Sequence, residues 1–314
     1  MPVRAAIFKL LTRLLLLAVA SALGAALLLP VVLRGGVDAF YGRFASPLAG
    51  SLILGTSRAA QGIRPAVLAA RLGGQFDGPL LNYAFTLTHS PYGPAYLASI
   101  RRKLRPGVRH GLFIVAVDPW SLSAAGRADT AAVEQFPEAQ SFIGQLHQVS
   151  QNPNLAYLSR YQTKPLYRLP LDFATATERL HPDGWLEVNI GLDSAQVRAR
   201  TARKLQDYRR LAASQHLSAG RLAALRHTIE FLKPHGRVVL VRLPIGAGLR
   251  ALEQQYQPGF DQQMRRLAAD FALAYLDYSA APYATTDGNH LQKAASEAFS
   301  EQLALHLAGA EMKH

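Results

Sequence analysis

A chain of 314 residues with 49% hydrophobic side chains is long enough to bury one large α/β core, which excludes a small stapled scaffold. It contains no cysteine, so disulfides, thiolate metal sites and a cysteine nucleophile are all excluded, while a reducing and an oxidising compartment stay equally open. The formal charge of +13 and a pI near 10.2 raise nucleic acid or an acidic surface as partners, and the compartment has to decide between them.

The N-terminus supplies the compartment. Arg4, Lys9 and Arg13 precede "LLLLAVASALGAALLLPVVL", residues 14–33, an uncharged run closed by Arg34. About 20 apolar residues span a bilayer as a helix. A cleaved signal peptide is the rival reading, with "ASA" at 20–22 as its cleavage site. Signal cores run only about 7–15 residues, however, and this run continues past that point. The basic residues before the span predict a cytoplasmic N-terminus (1–13), a single-pass anchor (14–33), a linker (34–49) and a domain (50–314) outside the cytoplasm, periplasmic or extracellular. Export argues against nucleic acid and makes the bilayer itself the first partner.

Beyond the anchor, short apolar runs alternate with helical patterns. "SLILG" near 51, "LLNYAF" near 80, "GLFIVAV" near 111, "RVVLVRL" near 237 and "AYLDY" near 274 read as buried strands. "PAVLAARL", "PYGPAYLASIRRKL", a long pattern over about 251–272 and a last one over about 292–308 read as helices. This alternation predicts an α/β protein with a flavodoxin-like, doubly wound parallel sheet in three αβα layers.

The spacing breaks after the third strand. Residues 121 to about 235 are too many for one crossover and include "SQNPNLAYLSRYQTKPLYRLPLD", so they read as a large insertion forming a cap beside the ligand edge of the sheet. The densest basic stretch, "VRARTARKLQDYRR" at 197–210, lies inside it. Val197, Leu205, Tyr208 and Leu211 recur there at near-helical spacing, as do Leu222, Leu225, Ile229 and Leu232 further on, which places most of these arginines on solvated helix faces. Such a surface beside a membrane also attracts anionic headgroups or an acidic envelope polymer.

A nucleophilic serine needs an imidazole to take its proton and a carboxylate to orient that imidazole. "LILGTSRAAQGIRP" at 52–65 places Ser57 just after the first strand, and "YATTDGNHLQKAASEAFSEQLALHL" at 283–307 places Asp287 and His290 between the last strand and the last helix. In an open α/β sheet both loops lie at the same edge, so all three side chains can meet. No histidine and carboxylate cluster suggests a metal, no Gly-rich loop suggests a nucleotide, and no cofactor is expected.

These residues resemble the SGNH (GDSL-type) hydrolases, in element order over most of residues 50–310. "GTS" stands where that family has Gly-Asp-Ser, and "DGNH" matches its Asp-x-x-His. "LNYAFTLTHSPYGPAYLASIRRKL" looks like the second block and "FIVAVDPW" stands at the third. The resemblance implies Ser57 as nucleophile, His290 as general base and Asp287 as its orienting acid. It also implies an oxyanion hole made by the serine N–H, a glycine and an asparagine. Leu87 stands at or near the glycine position and Val117 at the asparagine position, leaving Leu87 a backbone donor and Val117 no side-chain donor. Asn82, Thr86 and Thr88 are the candidate substitutes, although Asn82 also reads as a strand-end turn residue.

Arg58, His89, Tyr92, Asp118, Arg242 and Tyr283 complete the candidate crevice. Asp118 before Pro119 also reads as a strand end, and Arg242 inside "VVLVRLP" needs an ion-pair partner or an open crevice. A tethered domain of this kind looks like the anchored branch of the family, similar to the D-alanyl-transfer protein of teichoic-acid systems and to alginate-acetylation proteins. That likeness implies an esterase or acyltransferase acting on acylated envelope glycans or polymers, in some cases beside a multipass membrane O-acyltransferase. The alternative is a silent binding or assembly protein that kept the fold.

Overall fold

The computed structural model describes residues 2–126, 136–163 and 165–309. The apolar runs form five strands: β1 (Ser51–Leu54), β2 (Leu80–Asn82), β3 (Gly111–Ala116), β4 (Gly236–Arg242) and β5 (Ala274–Asp277). All pair in parallel, in the order β2-β1-β3-β4-β5. This is the flavodoxin-like order, and its switch point falls between β1 and β3, where binding crevices form.

The principal helices are α1 (Pro2–Leu33), α2 (Ser57–Gly62), α3 (Pro65–Leu72), α4 (Pro94–Lys103), α5 (Ser194–Ser214), α6 (Ala219–Leu232), α7 (Ala247–Tyr256), α8 (Phe260–Asp270) and α9 (Lys293–Gly309). Strand side chains alternate between the two faces of the sheet. Leu52, Phe113, Val115, Val238 and Leu240 share one core with Tyr96 and Ile100 of α4, Leu225 and Ile229 of α6, and Met264 and Leu267 of α8. Ile53, Leu112, Ile114, Val239 and Val241 share the other with Leu68 of α3 and Phe299 and Leu303 of α9. Buried on both faces, β1, β2, β3 and most of β4 read as continuous apolar runs, whereas β5, expected as a buried strand, is a partly exposed edge strand because only β4 flanks it.

Three expectations change. The helical pattern over 251–272 divides into α7 and α8 at Pro258-Gly259, because a proline without an N–H cannot carry the helical ladder through. Residues 34–49 are packed rather than a free linker: Asp38 Oδ1 accepts the N–H groups of Phe40 and Tyr41, both at 2.7 Å, at the start of a short helix, Tyr41–Ala45. Phe44 of that helix meets the rings of Tyr83, Phe85, Phe142 and Tyr157, and the buried Arg43 donates to the carbonyls of Ala39, Asn82 and Gly184. The insertion expected over 121–235 ends earlier, because α6 is the ordinary crossover helix that returns the chain to β4. Residues 127–135 and 164 of that insertion lie outside the described residues. The rest carries α5 and two small antiparallel pairs, Ser123–Ala125 with Gln215–Leu217 and Glu178–Leu180 with Leu186–Val188.

α1 is long and apolar enough to cross a bilayer, and its side chains are almost all exposed, Phe8 and Leu27 each 71%. At 1.5 Å per residue it exceeds the ~30 Å hydrocarbon thickness.

Lys103 closes α4 against the body by donating to the carbonyls of Ser46 and Val149, both at 2.6 Å. Burial pulls its amine from 10.5 down to about 7. Between those two values the unfolded chain binds this proton and the folded chain does not, so the contribution to stability rises with pH across that window. Denaturant unfolding of wild type and Lys103→Met, compared from pH 7 to pH 10, should show wild type gaining stability relative to the variant as pH rises.

Candidate active site

The turn after β1 is shaped by Gly55, whose φ of +138° a side chain disfavours. A Cβ there would lie 2.8 Å from Ala116 Cβ, so the close approach of β1 to β3 also requires glycine. Its N–H donates to Tyr96 Oη at 3.2 Å and its carbonyl accepts from Ser90 Oγ at 2.7 Å. The turn is therefore fixed on both sides, and it delivers Ser57 as the first residue of α2, half-exposed, with a backbone N–H that has no acceptor within the helix.

The loop between β5 and α9 meets it. His290 Nε2 lies 2.9 Å from Ser57 Oγ, and His290 Nδ1 lies 2.9 Å from Asp287 Oδ2. Asp287 Oδ1 accepts the backbone N–H groups of Asn289 and His290, each at 2.9 Å, so the carboxylate folds its own loop into the shape that aims the imidazole. Burial would raise the Asp287 pKa, but the hydrogen bonds and charge from His290 and these backbone donors outweigh it and hold the group well below the ordinary carboxylate range. The resulting line of carboxylate, imidazole and hydroxyl is the arrangement that moves a serine proton.

The residue after the serine turns inward. Arg58, 4% exposed, donates to Glu253 Oε1 at 2.6 Å and to Asn289 Oδ1 at 2.8 Å, with Asp118 Oδ2 at 3.8 Å. Glu253, fully buried on α7, also accepts Trp120 Nε1 at 2.7 Å and Arg242 at 2.7 Å, and Arg242 reaches Asp261 at 2.6 Å. Burial opposes the charge of Arg58, and Glu253 and Asp118 more than compensate, so its pKa lies above the ordinary arginine value. Arg58, Asp118 and Arg242, expected at the crevice, thus form a buried ion network beneath the triad. Burial pushes the Asp118 carboxyl up, against the pull of Arg58, while its Oδ1 accepts the Ser121 N–H in a local turn.

Other candidates are committed elsewhere. Asn82 is fully buried, its amide donating to the carbonyls of Ala59 and Ile63 and accepting from the Ala84 N–H, so no donor of its side chain remains for an oxyanion. Tyr92 is a core residue whose hydroxyl donates to the Ala116 carbonyl. Tyr283 packs on Phe299 and donates to Gln302 of α9. His89 stacks on Phe142 at 4.5 Å and bonds Thr86 Oγ1 at 2.6 Å, with burial lowering its pKa. Leu87 packs against the cluster of Trp120, Tyr208, Ile245 and Leu249. The Val117 N–H is spent on the Val241 carbonyl at 2.9 Å. Among the described residues the N–H groups of Thr86, Leu87 and Thr88 have no protein acceptor.

Asn289, Glu253 and the face of α5 escaped the sequence reading. Lys204 of α5 lies 3.7 Å from Asp287 Oδ2, Arg200 Nε donates to the Thr286 carbonyl at 3.0 Å, and Thr201 packs under Gly288. Charge density and helical spacing over 197–210 marked a helix there, and neither shows which of its polar residues meet the histidine loop. A cavity of about 430 Å³, lined by Arg109, His110, Lys233 and Leu307 among others, includes Gly111 and Gly236 and so lies at the opposite end of the strands from Ser57.

No protein-family model and no curated protein matches this sequence. Among solved structures the chain is similar to the native M. smegmatis aryl esterase, at 14% identity and a TM-score of 0.38 over 82% of this chain and 99% of that one. It is also similar to Est24, a carbohydrate acetylesterase from Sinorhizobium meliloti, at 11% identity and a TM-score of 0.39 over 83% and 99%. A putative arylesterase from Agrobacterium tumefaciens matches at 13% identity and 0.36, over 82% and 99%.

Removing one partner of a buried ion network leaves charge uncompensated and typically costs about 3–5 kcal/mol. Glu253→Gln should lower unfolding stability by that order, whereas Glu297→Gln, which breaks the more exposed pair with Arg64, should cost less than about 1 kcal/mol. Denaturant melts of both variants check the contrast.

Proposed function

We propose that this chain is a serine esterase or acyltransferase of SGNH type, held at a membrane by α1 with its domain outside the cytoplasm, acting on ester-linked acyl groups of envelope glycans or polymers. The observation that carries this reading is the continuous hydrogen-bond line from Asp287 through His290 to Ser57. Ser57 Oγ attacks the acyl carbonyl while its proton passes to His290 Nε2, and Asp287 supports the imidazolium through Nδ1–H. His290 then returns the proton to the departing oxygen, leaving an acyl-serine. Water resolves it in an esterase and a sugar hydroxyl in a transferase. A multipass membrane O-acyltransferase beside it is the partner that the transferase form implies.

The oxyanion draws on the Ser57 N–H and the 86–88 turn, and Val117 contributes nothing. One missing donor typically costs about 10²–10³ in rate, so small model esters should turn over slowly, whereas a natural donor brings binding energy from remote groups.

Wild-type protein should react covalently with a serine-directed phosphonate, with the adduct on Ser57 by mass spectrometry. Ser57→Ala and His290→Ala should abolish labelling, and Asp287→Asn should slow it less than His290→Ala, because the carboxylate orients the base without taking the serine proton. A folded wild type that never labels would instead support the silent binding protein, a reading favoured by the missing Val117 donor.

The anchor has its own test: a reporter active only outside the cytoplasm, fused after residue 314, should work, and the chain should stay in the membrane fraction with residues 14–33 intact. A shortened soluble product would refute that topology.

A further inference from the structure

One contact at the triad has no part in proton transfer as written. The Asn289 amide nitrogen lies 3.0 Å from His290 Nε2, the same ring nitrogen that faces Ser57 Oγ at 2.9 Å. Its amide oxygen lies 2.8 Å from Arg58 Nε. An arginine N–H only donates, so it fixes which end of the amide is oxygen and turns the NH₂ end to the imidazole. The other ring nitrogen faces the Asp287 carboxylate at 2.9 Å and so carries the proton, which makes Nε2 an acceptor. Two donors share one lone pair.

We infer that Asn289 is a positioning residue that aims a donor at His290 Nε2 and so disfavours an N–H there, driving the serine's proton onward to the leaving oxygen. The inference deepens the proposed esterase or transferase reading and rests on it for its catalytic meaning. Once Nε2 takes the Ser57 proton, its N–H faces the amide N–H groups, donor against donor. Asn289 cannot relieve this by flipping, because a flipped amide would set its NH₂ against Arg58 Nε. Arg58 cannot withdraw either, held by Glu253 at 2.6 Å and lying over the Tyr208 ring at 5.9 Å. The backbone of Asn289 is fixed by its N–H bond to Asp287 Oδ1.

Other charges face this loop: Asp287 within it, Lys204 and Arg200 from α5, Arg58 from α2, Glu253 from α7 and Asp118 after β3. Among the described residues only Ser57 and Asn289 hydrogen-bond to Nε2, and the Asn289 oxygen also accepts from Arg58 Nε, so Asn289→Ala removes both contacts while Asn289→Asp keeps the second.

The test uses the full chain in detergent with ¹⁵N-labelled histidine rings, the His290 signal assigned by its absence from His290→Ala, and thermal melts to show that each variant is folded. In Asn289→Ala the midpoint of the His290 titration should move up by about 0.5–1 pH unit, the worth of one lost hydrogen bond to the unprotonated nitrogen. In Asn289→Asp, which keeps the acceptor for Arg58 but turns a carboxylate oxygen to Nε2, it should move up further. The acid limb of phosphonate labelling should follow in the same order. If Asn289 only packs, Asn289→Ala leaves the midpoint where it is and changes labelling amplitude alone, which overturns the inference; Asn289→Asp raises it in either case, because a carboxylate beside Nε2 favours the imidazolium, and shows that the ring reads this position. If folded wild type does not label at all, the esterase reading fails, and the ring titration still decides the role of Asn289.

Discussion

The buried pair between Arg58 and Glu253 is the constraint around which the site is organised. A guanidinium next in sequence to a displayed serine would ordinarily extend into water, and here it is drawn under the triad by a carboxylate with no exposure of its own. Burying such charges is expensive unless nearly every donor and lone pair is met. Glu253 meets that condition by dividing its oxygens among Arg58, Arg242 and Trp120, which brings α2, β4, α7 and the segment after β3 to one point. The serine's neighbours are thereby fixed by the fold itself, the preorganisation that the proposed chemistry requires.

The two loops of the triad relate to this network differently. The serine loop is held by backbone geometry, with Gly55 bonded to Tyr96 and Ser90. The histidine loop is held by its own acid, since Asp287 accepts two backbone N–H groups as well as the imidazole. Asn289 joins the loops across 231 residues of chain through Arg58. Val117 marks the limit of the likeness to the SGNH pattern: its N–H extends the β3–β4 ladder and its side chain is apolar, so strand continuity occupies a position where that pattern has a polar donor.

The sheet was legible because strands buried on both faces must be apolar, as the runs at 51, 80, 111 and 237 largely are, and because the partly exposed edge strand at 274 still follows a helical pattern in the βα alternation. Ser57, Asp287 and His290 were legible from residue type and place at the strand ends. The ion network was not, because Arg58 and Glu253 look like surface charges until tertiary structure brings them together, and sequence separation hides the match. Asn289 sits in plain view inside "DGNH", yet its role depends on Arg58 pointing inward. The break at Pro258-Gly259 was available to a stricter reading, whereas the packing of residues 41–45 depends on distant rings at Phe142 and Tyr157.

Between the end of α1 and the buried Val37 lie only residues 34–36, turned back by hydrogen bonds to Pro30, Val31 and Val32. Three residues extend at most roughly 10 Å, so the body has no leash on which to swing. The body, Ser57 included, is therefore held close to the end of α1. Seated in a bilayer as proposed, such a body would search a plane rather than a volume, meeting what lies within its own thin layer and passing beneath anything held farther out.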